Sequence, residues 1–253
     1  MRKRIFAPII IIATLLISCD DMQTPRVRYT DGVTDTLTVE KMLEDTTKIL
    51  IASMPIHFDS TAVLIHPIGW EDVYLVDSYG VNVDRLKKAD RVSSSSQYIS
   101  YNNRNYISGS MVNLLFEDIE TGELRKLTDK AVVITSVKYL TDVIKKTGKH
   151  YLIYTVYDRD YNRDGKLDYR DLSACYMSNL DGTNFTKITQ DYHYLEFSQL
   201  VEQNGKYYYR TIEDVNKDGI YNKKDKYHYY YIDLNKEDFI SVEYFPLDLL
   251  DVK

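Results

Sequence analysis

Glycine and proline are scarce in this 253-residue chain, at 10 and 5 residues. That scarcity excludes collagen-like, proline-rich and flexible low-complexity architectures. Only two cysteines occur, Cys19 and Cys175, and no Cys-x-x-Cys pair exists to hold a metal or run redox chemistry. The five histidines, His57, His66, His150, His193 and His228, show no HExxH or paired metal spacing along the chain. Each is expected as a satisfied or solvent-facing side chain. No Gly-x-Ser-x-Gly elbow, phosphate-binding loop or GxGxxG turn appears, so no catalytic motif is present. Carboxylates are abundant, but nothing singles out a glycosidase-type pair. Tyrosine is what the chain has in excess, with 24 residues against 7 phenylalanines and one tryptophan. With 44% hydrophobic and 28% charged residues the composition is ordinary for a globular protein. The length suits one large β domain or two small ones with a real core. Tyrosine favours strands, so the expected fold class is all-β.

The first 18 residues read as an address. Arg2, Lys3 and Arg4 precede an apolar stretch, Ile5 to Ile17, too short to span a bilayer comfortably and matching a signal-peptide core. Leu16-Ile17-Ser18-Cys19 then resembles the lipobox of bacterial lipoproteins. That resemblance implies cleavage before Cys19, a diacylglycerol on its thiol and an acyl chain on the new amine. Such an anchor holds through roughly 0.8 kcal/mol per buried CH₂. Asp20 and Asp21 follow at once, as do acidic residues that some Gram-negative bacteria use as a cue for surface export. The expected location is the outer membrane, lipid-anchored, on the cell surface or the periplasmic face. Loss of residues 1–18 removes three positive charges and takes the net charge from −6 to −9. An acidic remainder argues against a nucleic-acid partner. Once Cys19 is acylated, Cys175 has no partner for an intrachain disulfide.

Behind residues 1–18, residues 19–37 read as the lipidated cysteine and a polar tether, and residues 38–61 as a short helix and lead-in. The helix is expected over Thr38 to Ala52, with Thr38-Val39-Glu40-Lys41 offering a cap. Residues 62–253 form the β domain. Strand runs begin with Val63-Leu64-Ile65 and Val73-Tyr74-Leu75-Val76, and Lys145 to Lys149 reads as a hairpin turn. Residues 160–189 and 214–243 align without gaps at an offset of 54. Asp160 falls on Asp214, Gly165 on Gly219, Tyr176 on Tyr230, Phe185 on Phe239 and Ile188 on Val242. Leu115 to Thr128 repeats the second half of this unit, and Tyr74 to Leu86 does so loosely. A strand, an Asp-Gly or Thr-Gly turn and a strand closing on an aliphatic residue recur in each copy. These segments resemble the repeats of TolB-type β-propellers. The resemblance implies a small propeller-like domain of about four blade-like hairpin repeats, with a β-sandwich as the alternative architecture.

Asp160-Tyr161-Asn162-Arg163-Asp164-Gly165-Lys166-Leu167-Asp168-Tyr169-Arg170-Asp171 fits the twelve-residue calcium loop of EF-hands and dockerins. Positions 1, 3 and 5 aim side-chain oxygens inward, glycine at 6 makes the turn, 7 gives a carbonyl, and 9 and 12 close the shell. The ligands are then Asp160, Asn162, Asp164, the Lys166 carbonyl, Asp168 and Asp171. In the second loop they are Asp214, Asn216, Asp218, the Ile220 carbonyl, Asn222 and Asp225. All are hard oxygens, which select Ca²⁺. The second loop has three ligand carboxylates against four, and Tyr221 where an aliphatic residue is usual, so weaker binding is expected there. Both loops end on Asp rather than Glu, and strand-like sequence flanks them, which speaks against helix-opening switches. The tyrosines Tyr207-Tyr208-Tyr209 and Tyr227 to Tyr231 are expected to alternate between core and solvent, a stacking surface being the other reading. Trp70 is expected as a core or turn aromatic. The function expected is a calcium-binding cell-envelope lipoprotein, a non-enzymatic binding or scaffold module with a protein or carbohydrate partner. The alternatives are a carbohydrate- or peptide-processing hydrolase and an accessory subunit of an envelope complex.

Overall fold

Strand formation follows from runs such as Tyr151-Leu152-Ile153-Tyr154-Thr155-Val156-Tyr157, where every residue is aromatic, aliphatic or β-branched. A computed structural model describes residues 25–29, 37–43, 48–72, 99–102, 105–248 and 250. The expected signal peptide, Cys19 and the loose repeat copy at 74–86 lie outside the described residues. The described chain is all-β. Its strands are β1 Lys48–Ala52, β2 Ile56–His57, β3 Val63–Asp72, β4 Ser100–Asn102, β5 Tyr106–Asp118, β6 Leu124–Lys126 and β7 Val133–Tyr139. Then follow β8 Tyr151–Tyr157, β9 Ala174–Asn179, β10 Thr186–Lys187, β11 His193–Val201, β12 Lys206–Glu213, β13 Lys226–Asp233 and β14 Ser241–Tyr244. Two short helices, α1 Val39–Leu43 and α2 Thr141–Thr147, accompany them. No helix among the described residues is long and apolar enough to cross a membrane.

All strand pairs are antiparallel and fall into two sheets. The larger runs β1-β3-β5-β7-β8-β9-β10, with β2 on β3 and with β4 and β6 on β5. The smaller is a four-stranded meander, β11-β12-β13-β14, with the form of a single propeller blade. Among the described residues the strand path does not close on itself. Repeat equivalence is real in three dimensions, since an offset of 54 carries the β9–β10 hairpin onto β13–β14.

Alternation along β8 and β9 shows where the core sits. Leu152, Tyr154, Val156, Ala174 and Tyr176 face one buried cluster with β5 and β7 residues such as Ile107, Met111 and Ile134. Tyr151, Ile153, Cys175 and Met177 face a second cluster with Tyr207, Tyr209, Tyr230, Ile232 and Leu234 of the smaller sheet. The β8–β9 layer is thus buried on both faces, which explains its unbroken apolar run. Burial of each such side chain contributes roughly 1.5–3 kcal/mol.

Two expected elements form differently. Helix occupies only Val39–Leu43 of the stretch Thr38 to Ala52, and Ile49, Leu50 and Ile51 pair in β1 with Glu71, Trp70 and Gly69. The cap does form, with Lys41 N–H donating to Thr38 Oγ1 at 3.3 Å. Ladder bonds available from β3 outweigh helix propensity for a β-branched run. Lys145 to Lys149 is not a hairpin turn but the end of α2, capped by Gly148 at φ 66°. Val143 drops into the second core while Ile144 packs on the first, so a helical period serves both clusters.

Candidate metal-binding loops and their surroundings

Both twelve-residue loops adopt one internal hydrogen-bond pattern, as their shared spacing requires. Position 1 accepts from the glycine at 6: Gly165 N–H to Asp160 Oδ2 and Gly219 N–H to Asp214 Oδ2, each 2.7 Å. Position 3 accepts from 5, and 5 from 7, through Asn162 and Asp164 in one loop and Asn216 and Asp218 in the other. Position 12 accepts from 9, with Asp168 N–H on Asp171 Oδ2 at 3.1 Å and Asn222 N–H on Asp225 Oδ2 at 2.8 Å. Backbone φ is positive at positions 4 and 6 of each: Arg163 and Gly165, Lys217 and Gly219. The two copies thus share one backbone turn, although among the described residues neither loop brings three of its carboxylates together as a metal-binding group. Strands β8 and β9 flank the first loop, and β12 and β13 the second.

The loops part company at their buried oxygens. Asp171 is fully buried, and its Oδ1 accepts from Tyr161 N–H at 2.9 Å and Asn162 N–H at 3.2 Å. Burial, aided by the nearby Asp160 charge, pushes its carboxyl up to about 6 despite those hydrogen bonds. Asp160 Oδ1 takes Asp164 N–H. By contrast Asp214 Oδ1 and Asp225 Oδ1, at positions 1 and 12 of the second loop, are buried without any hydrogen-bond partner. Arg170, at position 11 of the first loop, places its guanidinium 2.8 Å from Asp164 and 2.6 Å from Asp168. Lys224 holds the corresponding place in the second loop. Both loops offer only oxygen donors, the type a hard divalent cation takes, and in the second loop two carboxylate oxygens are bare.

A segment inside the expected tether straps the loops together. Arg26 N–H donates to the Gly219 carbonyl at 2.8 Å, and Arg28 N–H to the Tyr161 carbonyl at 2.9 Å. The Arg26 side chain donates to the Tyr169 and Asp171 carbonyls at 3.0 and 3.3 Å. Val27 is buried with Tyr161 and Leu172. Residues 25–29 are therefore docked, and only backbone pairing partners unknown to the sequence could reveal it.

Sequence spacing also hid a histidine pair. His193 on β11 lies opposite Glu213 on β12, and His228 on β13 opposite Thr211. One ligand atom each from His193, Glu213 and His228 lies within 4.8 Å of the others. No paired spacing exists along the chain, yet strand register brings His193 and His228 together across the sheet, each hydrogen-bonded as expected. Burial and the His228 charge hold the His193 pKa below its ordinary value, and the His228 hydrogen bond lowers that of Glu213. The other histidines are partnered, His57 with the Thr61 carbonyl, His66 with Glu117 and His150 with the Tyr139 hydroxyl.

The tyrosines alternate as expected. Tyr207, Tyr209 and Tyr230 are buried, whereas Tyr208, Tyr229, Tyr231 and Tyr244 gather on the outer face of the smaller sheet. There Tyr208, Tyr229, Tyr244, Arg210 and Phe197 line a shallow hollow of about 530 Å³. Trp70 is half-buried in β3 against Leu50 of β1. Of the three acids lining the larger hollow of about 780 Å³, Asp158 and Asp191 both bind Lys187 Nζ at 2.6 Å and Asp129 pairs with Lys126.

No family model matches the chain, and no curated protein matches it. Among solved structures it is similar to "TolB from Acinetobacter baumannii", at 11% identity and a TM-score of 0.26 over 78% of this chain. The chain spans 43% of the length of that protein.

Proposed function

We propose that this chain is a lipid-anchored envelope protein in which two bound Ca²⁺ ions stiffen a β-repeat module whose task is binding rather than catalysis. The observation that carries the reading is the pair of bare, buried oxygens Asp214 Oδ1 and Asp225 Oδ1, at the first and last ligand positions of a twelve-residue loop. An unpaired buried carboxylate oxygen is costly, and a hard cation at that centre removes the cost. Calcium bound there neutralises the acids and clamps a long inter-strand loop. The ligands are those expected from spacing, namely Asp160, Asn162, Asp164, Asp168 and Asp171 with the Lys166 carbonyl, and Asp214, Asn216, Asp218, Asn222 and Asp225 with the Ile220 carbonyl. Cys19 supplies the anchor to the outer membrane, on either face. The outer tyrosine surface at Tyr208, Tyr229, Tyr231 and Tyr244 is the place for a protein or carbohydrate partner, since such rings stack on both.

The test is calcium titration by calorimetry and thermal melting, with Asp160→Ala and Asp214→Ala alongside. Two binding events, one lost in each variant, and a higher melting temperature with calcium are expected. Absence of binding would overturn the reading.

A further inference from the structure

His193, Glu213 and His228 meet on one face of the β11–β12–β13 sheet, outside both calcium loops. Their supports are as telling as the three side chains themselves. The His228 Nδ1 is 2.7 Å from Glu243 Oε1, and the His193 Nδ1 is 2.9 Å from the fully buried Thr211 Oγ1. The His228 imidazole thus has one nitrogen at Glu243 and the other at Glu213, and the His193 ring is anchored to Thr211 through Nδ1. A second partner on the far ring nitrogen is what fixes orientation and tautomer in metal-ligating histidines. Toward the centre, His228 Nε2 and Glu213 Oε2 are 2.8 Å apart. The two imidazole rings lie 5.0 Å apart between centroids.

We propose that His193, Glu213 and His228 bind a borderline divalent transition-metal ion, zinc in the first instance, with Glu243 and Thr211 as positioning residues. Two imidazoles and a carboxylate are a nitrogen-rich donor set, which suits zinc and not calcium. Zinc ligands sit about 2.0–2.2 Å from the ion, so donors that all lie within 4.8 Å of one another need shifts of about an ångström to surround it. His228 is buried, while the Glu213 side chain is 44% exposed, which leaves a fourth position to water. The site belongs to one repeat copy alone, because the offset of 54 places Arg159 at Glu213, Ala174 at His228 and Thr189 at Glu243.

The experiment is zinc binding by the full chain in millimolar calcium, measured by competition with a chromophoric chelator. Cobalt substitution supplies a ligand-sensitive visible spectrum. One equivalent of zinc is expected. His193→Gln should weaken it at least as much as Glu243→Gln, for which loss of a supporting hydrogen bond predicts about 10–100-fold. The cobalt spectrum should change in His193→Gln, while its metal-free melting temperature stays close to that of the parent. His193 is only half-buried, so its variant remains informative if His228→Gln fails to fold. The proposal is overturned if zinc is not retained, if calcium displaces it, or if His193→Gln retains it unchanged. Zinc binding without any calcium binding would uphold this site and sink the loop reading, so the two fail separately.

Discussion

Asp171 and Asp225 occupy the last position of two loops with the same internal hydrogen bonds, yet one is sheathed and the other is bare. Both oxygens of Asp171 receive backbone N–H groups, whereas Oδ1 of Asp225 receives none. The first loop also carries its own cation in Arg170. Its β9 strand is buried on both faces, and its hairpin turn is covered by Phe116, whose ring would lie 2.4 Å from a Cβ at Gly182. The second copy lies at the edge of the molecule with one face open to solvent. On the proposed calcium reading, charge count favours the first loop. Local compensation ranks it as the one that needs calcium less, because its carboxylates already have partners. Identical loop chemistry thus meets different demands once the surroundings are fixed.

The largest effect is expected at the sixth loop position, where the copies carry glycine for unequal reasons. Gly165 and Gly219 both have positive φ, which alone costs a non-glycine residue about 1–2 kcal/mol. A Cβ on Gly165 meets nothing within 4 Å, but one on Gly219 would lie 2.2 Å from the Val27 carbonyl oxygen in the strap. Gly219→Ala should therefore destabilise by about 3 kcal/mol or more, roughly twice the effect of Gly165→Ala, in chemical unfolding. Equal costs would mean that the strap is not held against the second loop.

Next in size is the bare carboxylate. With calcium chelated, Asp225→Asn should raise stability by about 1–2 kcal/mol, since a buried carboxylate with one bare oxygen becomes a neutral amide. Asp171→Asn should gain less, because an amide nitrogen cannot accept the backbone N–H groups that Asp171 holds. Saturating calcium should reverse the sign for Asp225→Asn. Failure of the two variants to differ in chelator would erase the contrast between the loops.

A pH effect separates the interior of the first copy from the exterior of the second. Cys175 is buried, and burial pushes its thiol up to about 12. Its counterpart at an offset of 54 is Tyr229 on the open face. A thiol with a raised folded-state pKa stays protonated while the unfolded thiol ionises near 8.5. Its contribution is complete below that value and is lost as pH rises from there toward 12, at up to about 1.4 kcal/mol per pH unit. Thiol-reagent labelling of Cys175 at pH 8 should be slow in the native protein and rapid on unfolding. Rapid native labelling would show that the β8–β9 layer opens locally.

The smallest effect tests the internal cation. Arg170→Met should strengthen calcium binding at the first loop by a few-fold and leave the second unchanged, because exposed ion pairs are worth only about 0–1 kcal/mol. An unchanged first site would show that Arg170 does not compete with the metal.

Much of this was legible along the chain. Runs of β-branched and aromatic residues identified the strands, and the gapless repeat identified two equivalent hairpins. Loop spacing identified two segments that share one internal hydrogen-bond pattern, because geometry within twelve contiguous residues is local. What escaped was non-local. Ile49 to Ile51 look helical alone but take the ladder offered by β3. The strap at Pro25–Tyr29 has no periodicity and is held by carbonyls of distant loops. His193, Glu213 and His228 are 20 and 15 residues apart, and only the register of β11, β12 and β13 aligns them.

Sequence by itself determined the all-β class, the duplicated unit and the oxygen-rich loops, since each rests on contacts between near neighbours. Tertiary structure alone decided which carboxylates are compensated, which face of the tyrosine strands is open, and which histidines share a centre. Those outcomes depend on strand register and on sheet packing, where a shift of one residue turns every side chain to the opposite face.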